Sequence, residues 1–428
     1  VSLIWDVLYL FGLFLVFPVL LFRMLVHGKY RSRLLERFGA VPRRRGDRAC
    51  LWVHGVSVGE LLASRTIVAA FRRRHPDWDV VISTTTDTGY AAALTTFADC
   101  HVITFPLDFT GAITRSLSRV RPSLVVLMEL ELWPNFVRLC ARRRVPVVIA
   151  NGRLSERGHR LQKMLGFVLS GSYRGIARVC VQTEEYARRF ADVGAPPGRI
   201  VVTGSLKYDA VPDEVPGVDG LRRDLGIAED EKLIVAGSTF AGEEDILLDV
   251  YSRLKGDHPT VRLAVVPRHP ERFDTVCSLI RRRGFRVLRR SGGKPSGSGA
   301  DVVILGDTMG ELVCFYAAAS VVFVGKSLVR PGGGQNLIEP AALGRAVVFG
   351  PYVANFSETR DLLLARDAAV QVADANELAT AMGRLLADEK ASADMGERAA
   401  AVIRTARGAT DRTVDILEQV LASAPGSV

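Results

Sequence analysis

Apolar and polar positions alternate along this chain in blocks. Short, near-continuous runs of β-branched and aliphatic residues recur at Cys50–Val53, Val80–Ser83, Val102–Phe105, Leu124–Leu127, Val147–Ala150, Arg178–Val181 and Ile200–Thr203, with helical spacing between them. A strand that is apolar along its whole length is buried on both faces, and helices between such strands make them parallel. The rhythm breaks at Asp209–Asp219, rich in proline and acid, which reads as a linker. It resumes with Leu233–Ala236, Leu263–Val266, Val302–Leu305, Val321–Val324 and Val347–Phe349. Ser291–Gly299 predicts a flexible surface loop, and the Ala-rich segment from Glu377 onward predicts plain helices. The pattern therefore predicts an α/β chain of two doubly wound, Rossmann-like domains, 28–208 and 220–428, joined by a linker at 209–219 and facing a cleft. The last helix is free to pack back on the first domain. Ligands of open parallel sheets bind beyond the carboxyl ends of the strands, so the chemistry is expected in the strand-to-helix loops.

One segment does not fit a soluble domain. Between Leu3 and Val26 only Asp6 and Arg23 carry charge, close to the roughly 20 apolar residues that cross a bilayer. Arg23, Lys29, Arg31, Arg33, Arg37 and Arg43 to Arg45 all follow the apolar run, whereas a cleaved signal peptide carries its positive charge before it. The expectation is a retained anchor helix at 1–27, with the basic flank and the rest of the chain in the cytoplasm. Pro18 keeps open the alternative of a helix lying in the interface or packed on the protein.

Composition narrows the partners. With 428 residues, 48% of them hydrophobic, two cores of ordinary size can form. The formal charge of +10 favours an anionic partner. Basic residues are not interleaved with aromatics, and carboxylates recur in the motifs below, which argues against nucleic acid. The six cysteines are far apart and mostly within apolar stretches, and the seven histidines are equally scattered, so reduced core thiols and no metal site are expected.

Candidate chemistry sits after the strands. His54-Gly55-Val56-Ser57-Val58-Gly59-Glu60 delivers a carboxylate to the start of a helix, suited to a general base or simply to the helix dipole. Thr84-Thr85-Thr86-Asp87-Thr88-Gly89 offers hydroxyls for sugar or phosphate oxygens, or helix caps. Met128-Glu129-Leu130-Glu131-Leu132-Trp133-Pro134-Asn135 ends a buried strand in two carboxylates, which are costly to bury without a purpose. In the second half, Arg268 within Pro267–Phe273 points a fork at a phosphate, and Gly306–Leu312 predicts a second anion site at a helix start. Gly325-Lys326-Ser327 imitates the end of a phosphate loop, but Ser320 stands where its first glycine belongs. Gly332 to Asn336 allows close backbone approach to a ligand, with Glu339 placed for ribose hydroxyls.

In this order and spacing the motifs resemble the Kdo (3-deoxy-D-manno-octulosonic acid) transferases of lipopolysaccharide core synthesis. The resemblance also takes in Asn151–Ser155 and Thr203–Asp209 and spans nearly the whole chain. It implies a GT-B glycosyltransferase that moves Kdo from CMP-Kdo to a lipid A precursor, an acylated glucosamine disaccharide bisphosphate, with inversion and without metal or other cofactor. By matching motif it implies Glu60 as the base, Glu129 and Lys207 as supports of the transition state, and Arg268, His269, Met309-Gly310-Glu311 and Asn336-Leu337-Ile338-Glu339 as the CMP site. The basic flank would suit a phosphorylated lipid at the membrane surface. Three positions depart from the family pattern: Leu337 replaces a proline, Phe240 a histidine and Lys326 a glycine. Outside this resemblance, two readings compete: a GT-B enzyme with another nucleotide sugar, and a basic, membrane-tethered binding protein.

Overall fold

The computed structural model describes residues 5–7, 9–10, 33–164, 166–212, 214–292 and 301–423. The chain forms two compact units, Val1–Ala210 with Arg407–Val428, and Val211–Ala406.

The first unit is built on seven parallel strands: β1 Cys50–His54, β2 Asp79–Thr84, β3 His101–Thr104, β4 Leu124–Met128, β5 Val147–Gly152, β6 Arg178–Val181 and β7 Ile200–Val202. They are arranged in the order β3-β2-β1-β4-β5-β6-β7. Successive connections leave β1 in one direction and β4 in the other, so β1 and β4 flank the point where ligands bind in such sheets. Side chains alternate between two cores. Trp52, Phe105, Phe136 and Tyr173 fill one face. On the other, Leu51, Val53, Phe71 and Val126 pack with Ala409, Val414, Leu417 and Val420 of the C-terminal helix Ala409–Ala422.

That helix is fixed at its start. The Asp209 carboxylate accepts hydrogen bonds from the backbone N–H of Gly408 at 2.8 Å and of Thr410 at 2.6 Å, a cap supplied from 199 residues away. The stretch read as a linker is therefore anchored at Asp209, and a helix, Val218–Asp224, already begins within it.

The expected anchor at 1–27 lies mostly outside the described residues. Its described start is bound to the first unit. Asp6 accepts from the Thr110 N–H at 2.9 Å and from Asn135 Nδ2 at 3.0 Å, and the Tyr9 hydroxyl donates to Asp108 at 3.0 Å. Asp108 is buried and also accepts from the N–H groups of Asn135 and Phe136, two orphan donors in the first turn of the helix Pro134–Arg142. Among the described residues no helix is long and apolar enough to cross a membrane.

The second unit repeats the architecture with β8 Lys232–Thr239, β9 Val261–Pro267, β10 Arg286–Arg289, β11 Val302–Leu305, β12 Val321–Val324, β13 Ala346–Phe349 and β14 Val370–Gln371. The order is β10-β11-β9-β8-β12-β13-β14, all pairs parallel, with the reversal between β8 and β12. The apolar runs foretold neither β10 nor β14. Both are edge strands, one flanked by arginines and the other two residues long, so neither needs the continuous apolar pattern of a buried strand. The helices Ala375–Ala387 and Glu389–Ala406 match the plain helical reading. Of the expected loop at Ser291–Gly299, positions 293–300 are outside the described residues. Ser291 itself is fixed, its N–H and hydroxyl both donating to Asp307.

A buried carboxylate joins the loops at the reversal. Glu243, fully buried in the first turn of the helix Glu243–Asp257, accepts four backbone N–H bonds: Phe240 at 2.9 Å, Lys326 at 2.7 Å, Ser327 at 2.8 Å and Leu328 at 2.9 Å. Burial raises its pKa, and the four donors oppose that rise. The loop after β12 that imitates a phosphate site thus has its N–H groups already occupied by an anion of the chain itself. Next to it, Glu244 accepts from both terminal nitrogens of Arg272, at 2.7 and 3.0 Å, and from the Thr239 hydroxyl at 2.8 Å.

Removing the Glu243 carboxylate leaves several buried donors without an acceptor, so Glu243→Ala should cost about 3 kcal/mol of stability. Glu243→Gln should recover less than half of that, because its amide nitrogen would face N–H groups instead of accepting from them. Denaturant unfolding of the full chain measures both; a loss under about 0.5 kcal/mol for the alanine variant would refute the assignment.

Candidate functional site

Four non-glycine residues adopt left-handed backbone where strands run out toward their helices: Glu129 after β4 (φ 55), Asn151 in β5 (φ 56), Ser238 in β8 (φ 54) and Lys326 after β12 (φ 55). Such conformations cost of order 1 kcal/mol each and persist where the surroundings fix them, often at functional sites. Two of them accompany register shifts in the sheet, at Ile149/Gly152 and at Gly237/Thr239, and bulges re-aim the side chains that follow. All four lie in or beside β4, β5, β8 and β12, at the carboxyl ends where doubly wound sheets bind ligands.

In the first unit this end of the sheet gathers Glu60, Glu129, Glu131, Lys207 and Arg153. Glu60 lies in the first turn of the helix Val58–Arg74. Ser57 caps that helix by accepting from the Glu60 N–H at 3.2 Å, while the Glu60 carboxylate accepts from the Ser57 hydroxyl at 2.8 Å and the Val56 N–H at 2.9 Å. This is a variant of the reciprocal capping box, and it locks the half-buried carboxylate in one orientation. Burial pushes Glu129 above the usual carboxylate range, Glu60 adds to the rise, and Lys207 and Arg153 counter it. Glu131 is pushed up to about 7, first by burial and then by Glu60 and Glu129. The structure thus brings Glu60 and Lys207 each within electrostatic reach of Glu129 and adds Glu131 and Arg153. Glu131 was visible in the sequence as the second carboxylate of its motif. Among the described residues, no group of three or more His, Cys, Asp or Glu is arranged to hold a metal ion.

Buried polar residues support this cluster from below. His54 is fully buried, stacked on Phe105 with ring centroids 3.7 Å apart, and burial lowers its pKa to about 3, so it is neutral. Asn151 accepts the Leu206 N–H at 3.1 Å and so ties the Thr203–Asp209 segment, which carries Lys207, to the end of β5. The threonines after β2 act as structural ties. Thr84 and Thr86 donate to the Val56 carbonyl at 3.1 and 3.3 Å, and Thr86 caps the helix Asp87–Thr96. Their hydroxyls hold the loop that carries Glu60.

In the second unit, Arg268 and His269 are exposed after β9, and the Arg268 charge acts on both Glu339 and Tyr316. Asn336 Oδ1 accepts the Ile338 N–H at 3.0 Å, opening the short helix Ile338–Ala342. Glu339 is raised by burial, with Asn336 and Arg268 opposing. Leu337 and Ile338 are buried, so from this pair only backbone groups can face a ligand. Leu337, one of the family departures, is thus accounted for by the core.

Met309 is exposed and Gly310 is left-handed (φ 88) with open space around its α-carbon. The helix start expected to take an anion at this turn already has one nearby. The carboxylate of Glu311, which precedes the helix Leu312–Ala318, accepts from Arg290 at 2.9 Å and from the Thr308 hydroxyl. Arg290 and Arg289, which pairs with Asp307 at 2.6 Å, come from β10 and its end, the strand the apolar pattern did not foretell.

Comparison with known proteins places the chain in a family. Residues 32–210 match the family model described as 3-deoxy-D-manno-octulosonic-acid transferase (kdotransferase). The chain is 34% identical over 403 residues to the 3-deoxy-D-manno-octulosonic acid transferase of Haemophilus influenzae, covering 92% of each chain. It is 35% identical to that of Bordetella pertussis, covering 87% of this chain and 88% of the relative. In fold it is similar to the UDP-GlcNAc 2-epimerase of Neisseria meningitidis, with a TM-score of 0.59 at 12% identity over 87% of this chain and all of that one. The chain therefore belongs to the 3-deoxy-D-manno-octulosonic acid transferase family and is a glycosyltransferase built on two parallel-sheet, GT-B-like α/β units.

Proposed function

We propose that this chain transfers Kdo from CMP-Kdo to a lipid A precursor at the cytoplasmic face of the inner membrane, inverting the anomeric centre and needing no metal ion. The observation that carries the reading is the carboxylate cluster with Lys207 at the carboxyl ends of the first sheet, in a chain of this family.

In this mechanism Glu60, oriented by Ser57 and Val56, removes the proton from the attacking acceptor hydroxyl. The acceptor oxygen bonds to the anomeric carbon as the bond from that carbon to the phosphate oxygen breaks, and the electron pair leaves with CMP. The anomeric carbon gains positive charge as the bond breaks, which the negative field of Glu129 favours, and Lys207, whose charge acts on Glu129, favours the ionised form of that carboxylate. Glu131 is half protonated near neutrality, so three neighbouring carboxyls need not all be charged at once. Arg268 and His269, the Met309-Gly310-Glu311 turn and the Asn336–Glu339 segment hold the nucleotide. The apolar run near the chain start and the basic residues after it support action at an anionic membrane surface. Nucleic acid has no part in this reading.

Glu60→Gln, shown to be folded by its unfolding curve, should lose roughly 10²- to 10⁴-fold in transfer from CMP-Kdo generated in place to a lipid A precursor in detergent. Wild-type transfer should persist in EDTA. Absence of transfer by the wild type would sink the donor and acceptor assignment, and unchanged transfer by the variant would remove Glu60 from the role of base.

Glu131 gives a second expectation. Its folded pKa of about 7 lies above its ordinary 4.5, so the stability it contributes is complete at low pH and is lost as pH rises through about 7. Unfolding free energy should fall between about pH 5 and about pH 8, and Glu131→Gln should flatten that slope; a variant with the wild-type slope would contradict it.

A further inference from the structure

The loops leaving β8 and β12 meet at the reversal point of the second sheet. A Cβ on Gly325 would lie 2.6 Å from the Ser238 carbonyl oxygen and 2.6 Å from the Thr239 α-carbon, so the two chains pass in backbone contact. The residues that follow are Phe240 on one loop and Lys326 on the other. These are two of the positions at which the sequence departs from its family, and in space they are neighbours: Lys326 Nζ lies 5.5 Å from the centroid of the Phe240 ring.

Arg272 also approaches that ring, its Cζ 5.9 Å from the centroid, but its charge is already matched by the buried Glu244 carboxylate. Lys326 differs. Among the described residues no carboxylate oxygen lies within 4.0 Å of its ammonium group. Its backbone is held left-handed, at a cost glycine would avoid, and its N–H is fixed to Glu243. The side chain is half-buried. A cation resting on an aromatic face and lacking a counter-ion, at the sheet position where ligands bind, is a poised anion contact.

We infer that Lys326, steadied by the Phe240 ring, is a donor-contact residue that binds the phosphate of the cytidine nucleotide. The inference rests on the CMP-sugar reading above. It adds to the site a cation that the family pattern does not supply, and it separates Lys326 from its loop: the backbone of 326–328 serves the internal carboxylate, and only the side chain serves the ligand.

The test is titration calorimetry of the detergent-solubilised full chain with CMP and, separately, with cytidine. Lys326→Ala should weaken CMP binding roughly tenfold, as loss of one charge-assisted contact does, while leaving cytidine binding unchanged. Lys326→Arg should stay within about threefold of wild type for CMP, since it retains a cation. Equal weakening of both ligands in the alanine variant would show a structural role and overturn the inference, as would unchanged CMP affinity. A wild type that binds neither ligand would overturn the CMP-sugar reading itself, and this inference with it.

Discussion

The geometry of the second unit depends on one buried carboxylate. Glu243 has no access to solvent, yet four backbone N–H groups converge on it, one from the loop after β8 and three from the loop after β12. Two neighbouring parallel strands share no turn, so nothing in the sheet itself fixes the relative position of the loops at their ends. Glu243 does this electrostatically. It fills the cradle of N–H groups that a phosphate would occupy in a true phosphate loop. In the proposed reading the nucleotide is therefore held by side chains and by other segments: Arg268, the Asn336–Glu339 segment and Lys326.

The first unit solves a different problem, the crowding of like charges. Burial raises Glu129 and Glu131, the Glu60 charge adds to both, and Glu129 adds to Glu131. Left-handed backbone at Glu129 and Asn151 sets the directions from which the side chains approach, and Lys207 reaches the cluster on a segment tied to Asn151. Under this cluster lie neutral polar groups, the buried His54 and Thr84 and the half-buried Thr86, which hold loops without adding charge. The acidic site thus stands on an uncharged polar floor.

Much of this was legible in the sequence. Every apolar run proposed as a strand is one, because a buried parallel strand has to be apolar along its length, and the candidate side chains cluster where such strands end. What the sequence hid follows a common rule: it depends on partners remote in the chain. Glu243 reads as an ordinary acid in a first helical turn until the loop 83 to 85 positions away folds onto it. Thr84 and Thr86 read equally as sugar ligands and as helix caps; their hydroxyls lie on the remote Val56 carbonyl, and Thr86 also caps its helix. Leu337 and Ile338 are expected at the nucleotide site by position, and burial puts them in the core. Strand β10 escaped notice because its last residue, Arg289, serves Asp307 and Asp274, and Arg290 just beyond it serves Glu311 and Asp224, none of which periodicity can reveal.

The helix Ala409–Ala422 has a consequence for how the molecule is made. It packs into the core of the unit that begins the chain, and Asp209 caps it across 199 residues. A ribosome therefore completes β1 to β7 and then the whole second unit before the last wall of the first core exists. Until then the hydrophobic face formed by Leu51, Val53, Phe71 and Val126 lacks its covering helix, so the amino-terminal unit reaches its final packing only after the carboxyl-terminal one has been synthesised.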